Sequence, residues 1–217
     1  MFDFKGVIFD LDGTLADSMN IWDQIDIDFL AKRGIKVPDD YMHAIAHLGS
    51  YETATYTINR FNLSDTPEEL IAEWVEMAKD AYSVIPPKDG ALEFVNYLFE
   101  NKVKIAVASA TERELIEMFL CSQNILEKID TIVTISDVKR GKEFPDIYFK
   151  CAENMNLDPK DCMVCEDLLV AVKGAKSGGF YTVGVYDEYS KSNTDSIKEC
   201  SDKFIYSFYE LMEKEAD

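Results

Sequence analysis

The sequence predicts an α/β protein: a Rossmann-like three-layer core around a parallel sheet, with a small all-helical cap inserted after the first strand. Three observations predict it. Short apolar runs rich in β-branched residues recur at 5–9, 103–108, 131–135, 162–165 and 181–185, each ending in a polar or glycine break. Strands buried on both faces read this way. Segments of helical period separate the later runs, and strands alternating with helices form a parallel sheet. Residues from about 17 to 84 break that rhythm, because their periodicity is helical throughout. The expected division is a core of residues 1–16 and 85–217 and a cap of residues 17–84.

The elements follow in order. The first strand ends in Asp10 and Asp12 and breaks at Gly13. Ile21, Ile25 and Phe29, with Trp22 and Leu30, then recur at helical spacing until Gly34 stops them. A second cap helix begins at Thr66, where an N-cap hydroxyl, the first-turn Pro67 and the reciprocal Glu69 coincide. Leu70, Ile71, Trp74, Val75 and Ala78 continue one face of it. Pro86 and Pro87 mark the return to the core.

In the core, Leu92, Val95 and Phe99, then Leu115, Met118 and Phe119, then Ile147 and Cys151, then Val172 and Ala175 outline helices. Pro145 suits a first helical position, and Gly178 with Gly179 ends a helix before a strand. Ser207 and Glu210 have the form of a capping box, which predicts a closing C-terminal helix.

Composition narrows the function classes. Forty-one acidic against twenty-two basic residues give a net charge of −19, which repels nucleic acid and anionic lipid head groups. The 217 residues are 47% apolar, and no apolar run approaches the roughly 18 residues of a membrane span. No apolar leader precedes the first strand signal, so the cytoplasm is the expected compartment. No feature calls for an oligomer, and a monomer is expected. The five cysteines lack scaffold spacing and read as free thiols. Cys162 and Cys165 form a CxxC pair, but inside a strand, where buried thiols are expected rather than a redox couple.

Ligands of an open parallel sheet bind beyond the carboxyl ends of its strands, so the residues there carry the chemistry. They are Asp10 and Asp12, Ser109, Lys142, and Glu166 with Asp167. Carboxylates converging on one edge repel unless a cation neutralises them, and hard oxygen ligands suit Mg²⁺. Taken singly, a DxD turn, a serine or a lysine is ordinary surface chemistry. Their coincidence at successive strand ends is the signal. His43 and His47 lie four apart on a cap helix, but no third metal ligand accompanies them, so cap packing or exposure is expected.

In these positions the sequence resembles the haloacid dehalogenase superfamily, in its branch of helical-cap phosphatases and β-phosphoglucomutase-like enzymes. The motifs stand in order: Asp10-Leu11-Asp12-Gly13-Thr14, then Ser109 closing Val107-Ala108-Ser109, Lys142 within residues 141–148, and Glu166-Asp167. The resemblance implies Asp10 as nucleophile, forming an aspartyl phosphate, and Asp12 as general acid and then general base. It implies phosphoryl oxygens held by Ser109 and Lys142, and Mg²⁺ on Asp10, on the Asp12 main-chain carbonyl and on Asp167. Glu166 is a metal neighbour or an orienter of metal-bound water. Gly13 turns the chain, and Thr14 is expected to offer its hydroxyl to Asp12.

Two departures bear on the activity. Relatives commonly place proline directly after the motif lysine, whereas Glu143 and Phe144 intervene here before Pro145. Leu168 stands where many relatives carry serine or threonine. Mutases of the branch hold a cap histidine and a cap arginine, in places that correspond to Trp22 and Tyr51. Met19, Trp22, His47 and Tyr51 are the candidate substrate-facing cap residues, although Trp22 fits the cap's own apolar stripe equally well. The resemblance therefore implies a Mg²⁺-dependent phosphatase of a small phosphorylated metabolite, with sugar phosphates leading. A sugar phosphate isomerase is the alternative, and a catalytically silent binding protein a distant third.

Overall fold

The computed structural model describes residues 4–45 and 48–212. Six parallel strands form one sheet: β1 (Gly6–Phe9), β2 (Lys104–Ser109), β3 (Thr131–Thr134), β4 (Cys162–Glu166), β5 (Tyr181–Val185) and β6 (Lys203–Ile205). Their order is β3-β2-β1-β4-β5-β6. The chain thus runs outward from β1 in one direction and then returns to build the other, so the strand order reverses between β1 and β4. That reversal opens the crevice in which sheets of this class hold ligands.

The strands are apolar throughout because both faces are covered. Val7, Phe9, Ile105, Val107, Met163 and Cys165 enter one core, while Ile8, Ala106, Val133, Cys162 and Val164 enter the other. This is the period-two alternation of a strand. Helices α5 (Ala91–Glu100) and α6 (Arg113–Ser122) supply Phe94, Leu98, Leu115 and Phe119 to the first core. Helix α7 (Asp146–Met155) supplies Ile147, Tyr148, Cys151 and Met155 to the second, and α8 (Leu169–Ser177) adds Ala175. The result is the expected three-layer α/β/α core. Cys162 and Cys165, on opposite faces, are buried free thiols, and burial pushes Cys162 up to about 11.

Between β1 and α5 lie α1 (Met19–Lys32), α2 (Tyr41–Ile45), α3 (Ser50–Phe61) and α4 (Pro67–Tyr82). Gly34 takes φ +71° just after α1, a conformation that ends a helix at no steric cost. At α4 the capping box forms as expected: Thr66 N donates to Glu69 Oε2 at 2.8 Å, and Glu69 N donates to Thr66 Oγ1 at 3.3 Å. The two chain passages into and out of this insert pair with each other. Asp17 N donates to Pro86 O at 3.0 Å and Lys88 N to Leu15 O at 2.9 Å.

Two local expectations are corrected, and one strand is added to those expected. Pro145 is the N-cap of α7 and not its first residue. The capping box at Ser207 opens only a 3-10 turn, Phe208–Leu211, within the described residues. Strand β6 was not expected, because three residues at a sheet edge are too few to show a period. Among the described residues, no helix is long and apolar enough to cross a membrane.

Candidate active site

Asp10 follows β1 directly, and its N–H donates to Cys165 O at 3.0 Å, which locks the two central strand ends together. Ser109 closes β2 and Glu166 closes β4, with Asp167 one residue beyond. Lys142 comes from the loop between β3 and α7 and is buried at the same edge. The sheet therefore gathers Asp10, Ser109, Lys142, Glu166 and Asp167, all of them buried.

The Lys142 ammonium lies 2.5 Å from Asp10 Oδ1 and 2.7 Å from Glu166 Oε1. Tyr148 OH donates to the same Glu166 oxygen at 2.9 Å. Thr14 Oγ1 donates to Asp167 Oδ1 at 3.3 Å, and not to Asp12 as expected. Gly13 explains the change: at φ +81° the chain swings Thr14 toward the end of β4. A Cβ on Gly13 would stand 2.6 Å from Asp167 Oδ2, so glycine is also what leaves room for that carboxylate.

Charge at this edge does not balance. Three carboxylates, Asp10, Glu166 and Asp167, place oxygens within 4.8 Å of one another, against the single ammonium of Lys142. Burial, then the Glu166 charge, pushes Asp10 up to about 8 despite the pull of Lys142. Burial, then Asp10 and Glu166, pushes Asp167 well above the carboxylate range. Burial works against the Lys142 ammonium, but Asp10 and Glu166 outweigh it and hold its pKa above the usual lysine value. Glu166 Oε2 and Asp167 Oδ2 are buried with no hydrogen-bond partner. Two excess negative charges and two orphaned hard oxygens fit a divalent cation such as Mg²⁺.

Asp12 is held apart from this cluster. Its Oδ1 accepts from Ser18 Oγ at 2.6 Å, from Trp22 Nε1 at 3.4 Å and from Tyr82 OH, while Oδ2 accepts from Thr111 Oγ1 at 2.5 Å. Trp22 Nε1 also donates to Tyr82 OH at 2.8 Å. With its side chain engaged in this way, the Asp12 carboxylate does not join the cluster of Asp10, Glu166 and Asp167. Trp22 comes from α1 and Tyr82 closes α4, so the cap itself positions this carboxylate.

Residue types and spacing did not single out Ser18, Tyr82, Thr111 or Tyr148. Thr111, two residues after Ser109, and Tyr148, one helical turn into α7, sit beside known motif positions and carried a local signal. Ser18 and Tyr82 carried none. Of the expected cap residues, Met19 and Trp22 line a cavity of about 190 Å³ over Asp10 and Asp12. Tyr51 does not line it and is 58% exposed, so it points away from the substrate space assigned to it. His47 lies outside the described residues.

A model of the haloacid dehalogenase-like hydrolases matches residues 7–185. The chain belongs to that family. Among curated relatives of this hydrolase, validoxylamine A 7'-phosphate phosphatase of Streptomyces hygroscopicus subsp. limoneus is 27% identical over 84% of this chain and 85% of its own. Hexitol phosphatase B of Escherichia coli K12 is 25% identical over 78% and 79%. Among solved structures, β-phosphoglucomutase of Clostridium difficile covers 96% of the chain and 93% of its own, at 19% identity and TM-score 0.80. CbbY of Rhodobacter sphaeroides covers 96% of both, at 20% identity and TM-score 0.84. These last two establish a shared fold.

Proposed function

We propose that this hydrolase is a Mg²⁺-dependent phosphomonoesterase of a small phosphorylated metabolite, with residues 17–84 as the cap that reads the rest of the substrate. The observation that carries the reading is the buried cluster of Asp10, Glu166 and Asp167 with its unpaired oxygens, set against Lys142 at the sheet's central strand ends. Relatives named as phosphatases of a validoxylamine phosphate, of hexitol phosphates and of fructose 1-phosphate support it, and make sugar phosphates the first class to assay.

In this reading an Asp10 carboxylate oxygen attacks phosphorus and the P–O bond to the alcohol breaks. Asp12 gives its proton to the departing oxygen. The aspartyl phosphate is then hydrolysed by a water whose proton Asp12 takes back, releasing phosphate and restoring Asp10. Ser109 and Lys142 bind the phosphoryl oxygens, with Glu166 steadying the ammonium and Tyr148 holding Glu166. Mg²⁺ held by Asp10, Asp167 and the Asp12 main-chain carbonyl, with Glu166 adjacent, would supply the positive charge that lets an anionic nucleophile meet an anionic phosphate. The test is phosphate release across a panel of sugar, nucleotide and glycolytic phosphates, with Asp10→Asn as the blank. Release equal in enzyme and blank on every substrate rejects the reading.

A mutase must shield its aspartyl phosphate from water and grip a bisphosphate. Among the described residues, Lys142 is the only lysine or arginine lining the cavity. Given β-glucose 1-phosphate and a bisphosphate primer, the enzyme is expected to yield inorganic phosphate or nothing. Sustained glucose 6-phosphate formation in a coupled dehydrogenase assay, without matching phosphate release, would establish the isomerase instead.

A further inference from the structure

The cavity over Asp10 continues away from the strand ends into the cap, and its chemistry changes on the way. Beyond Trp22 the cap contributes Ile25, Met42, Ile45, Ile71, Trp74 and Val75. Trp74 is 6% exposed, packs edge-on against Phe29, and keeps its Nε1 buried without a partner. A site built for a polyol would present converging free donors and acceptors here, since each desolvated hydroxyl costs free energy unless it is paired. The cap's uncharged hydroxyls on this lining are Ser50 and Thr53, and Ser50 Oγ already donates to Ala110 O at 3.2 Å. The charged groups at this end are acidic: Asp23 and Asp26 of α1 line the same space, with Tyr189 of the core beside them. Burial, then the neighbouring Asp23, pushes Asp26 up to about 7, so this wall already resists negative charge.

We infer that the alcohol part of the substrate is an apolar group without a second phosphate or other anionic charge, seated against Ile71, Trp74 and Val75 of the cap. The inference rests on the phosphatase reading for the position of the phosphate, and it narrows that reading from sugar phosphates toward esters of apolar alcohols. An apolar body gains the burial free energy that this wall offers, and it asks for no hydrogen bonds. A bisphosphate would bring its second charge against Asp23 and Asp26 with no described cation to meet it.

Binding and turnover separate the two claims. The chain has two tryptophans, and both line the cavity, so intrinsic fluorescence reports its occupancy. Three probes would be titrated into Asp10→Asn in Mg²⁺: 2-phenylethyl phosphate, glucose 6-phosphate and fructose 1,6-bisphosphate. The expected Kd for the phenylethyl ester is at least about tenfold below that for the sugar monophosphate, with the bisphosphate weakest. Ile71→Arg, or Val75→Arg should the first fail to fold by circular dichroism, is expected to narrow the gap between phenylethyl ester and bisphosphate by about fivefold or more. Equal or tighter binding of either sugar phosphate overturns the inference, and so does an unchanged gap in a folded arginine variant. Phosphate release by the wild-type enzyme is read separately: its absence on all three probes counts against the phosphatase reading, while the binding order still decides the substrate class.

Discussion

At the strand ends of the cavity, each side chain to which the proposed mechanism gives a role is a carboxylate, an ammonium or a hydroxyl. Asp10, Lys142 and Glu166 form an unbroken chain of ion pairs there. Across the same space, the cap offers Ile71, Trp74 and Val75, which hold their places by packing. The difference lies in what each end must do. Charge stabilisation needs groups set to within a fraction of an ångström, and the sheet supplies this because the ends of β1, β2 and β4 are fixed by their ladders. Shape recognition by apolar contact tolerates substitution as long as volume is kept. The electrostatic end can therefore be common to a family while the apolar end varies from chain to chain.

The largest way to break this contrast is Asp10→Asn. It keeps the shape of the site and removes the proposed nucleophile, and turnover should fall by at least about 10³-fold with the circular dichroism spectrum unchanged. Wild-type turnover in the folded variant would take Asp10 out of the mechanism. Metal removal comes next. Excess chelator should abolish phosphate release, Ca²⁺ should restore it poorly, and Mg²⁺ should raise the Tm of the wild type but not of Asp167→Asn. A Tm that responds equally in both proteins would disconnect the acidic cluster from the metal.

Asp26→Asn probes the apolar end. The folded carboxyl, pushed up to about 7 by burial and then by Asp23, lies above its ordinary value of 3.8. The folded state therefore binds the proton more tightly, so stability is lost as pH rises from about 4 to 7 and stays low beyond. The variant should gain roughly 2–4 kcal/mol at pH 8 and almost nothing at pH 4. Parallel Tm-against-pH curves for the two proteins would contradict the assignment.

The smallest effect tests the link between the two ends. Tyr82→Phe removes one donor to Asp12 without changing volume, and kcat should fall about tenfold with KM within about twofold. A change confined to KM would make Tyr82 a substrate contact and not a positioning residue.

The electrostatic end was largely legible in the sequence because Asp10, Asp12, Ser109, Glu166 and Asp167 sit at or just beyond a strand end, where short apolar runs locate them, while Lys142, out in the loop after β3, was found through its motif. The clamp on Asp12 was not. Tyr82 lies 70 residues from the carboxylate it touches, and its position at the end of a helix carries no local mark. Thr14 shows a subtler failure: the turn at Gly13 was anticipated, but its direction depends on a dihedral that the glycine leaves free. Of the cap helices, α1 and α4 were readable from their period and caps, whereas the bounds of α2 and α3, and which cap residues face the cavity, were not. Tyr51 and Trp22 both lie on cap helices, and only tertiary packing separates the exposed ring from the one that reaches Asp12.

Gly174 sits inside α8, one turn beyond the cavity-lining Ala171, and a Cβ there would stand 2.0 Å from the Lys142 carbonyl oxygen and 3.0 Å from the Glu143 carbonyl carbon. Both are backbone atoms, with no flexible side chain to yield. A protein engineer seeking thermostability would choose this position early, since alanine in mid-helix is worth about 1 kcal/mol over glycine. Here that methyl group would push the loop bearing the Lys142 ammonium out of register, so on the proposed mechanism a routine stabilising substitution, away from every charged group of the site, would disarm the enzyme.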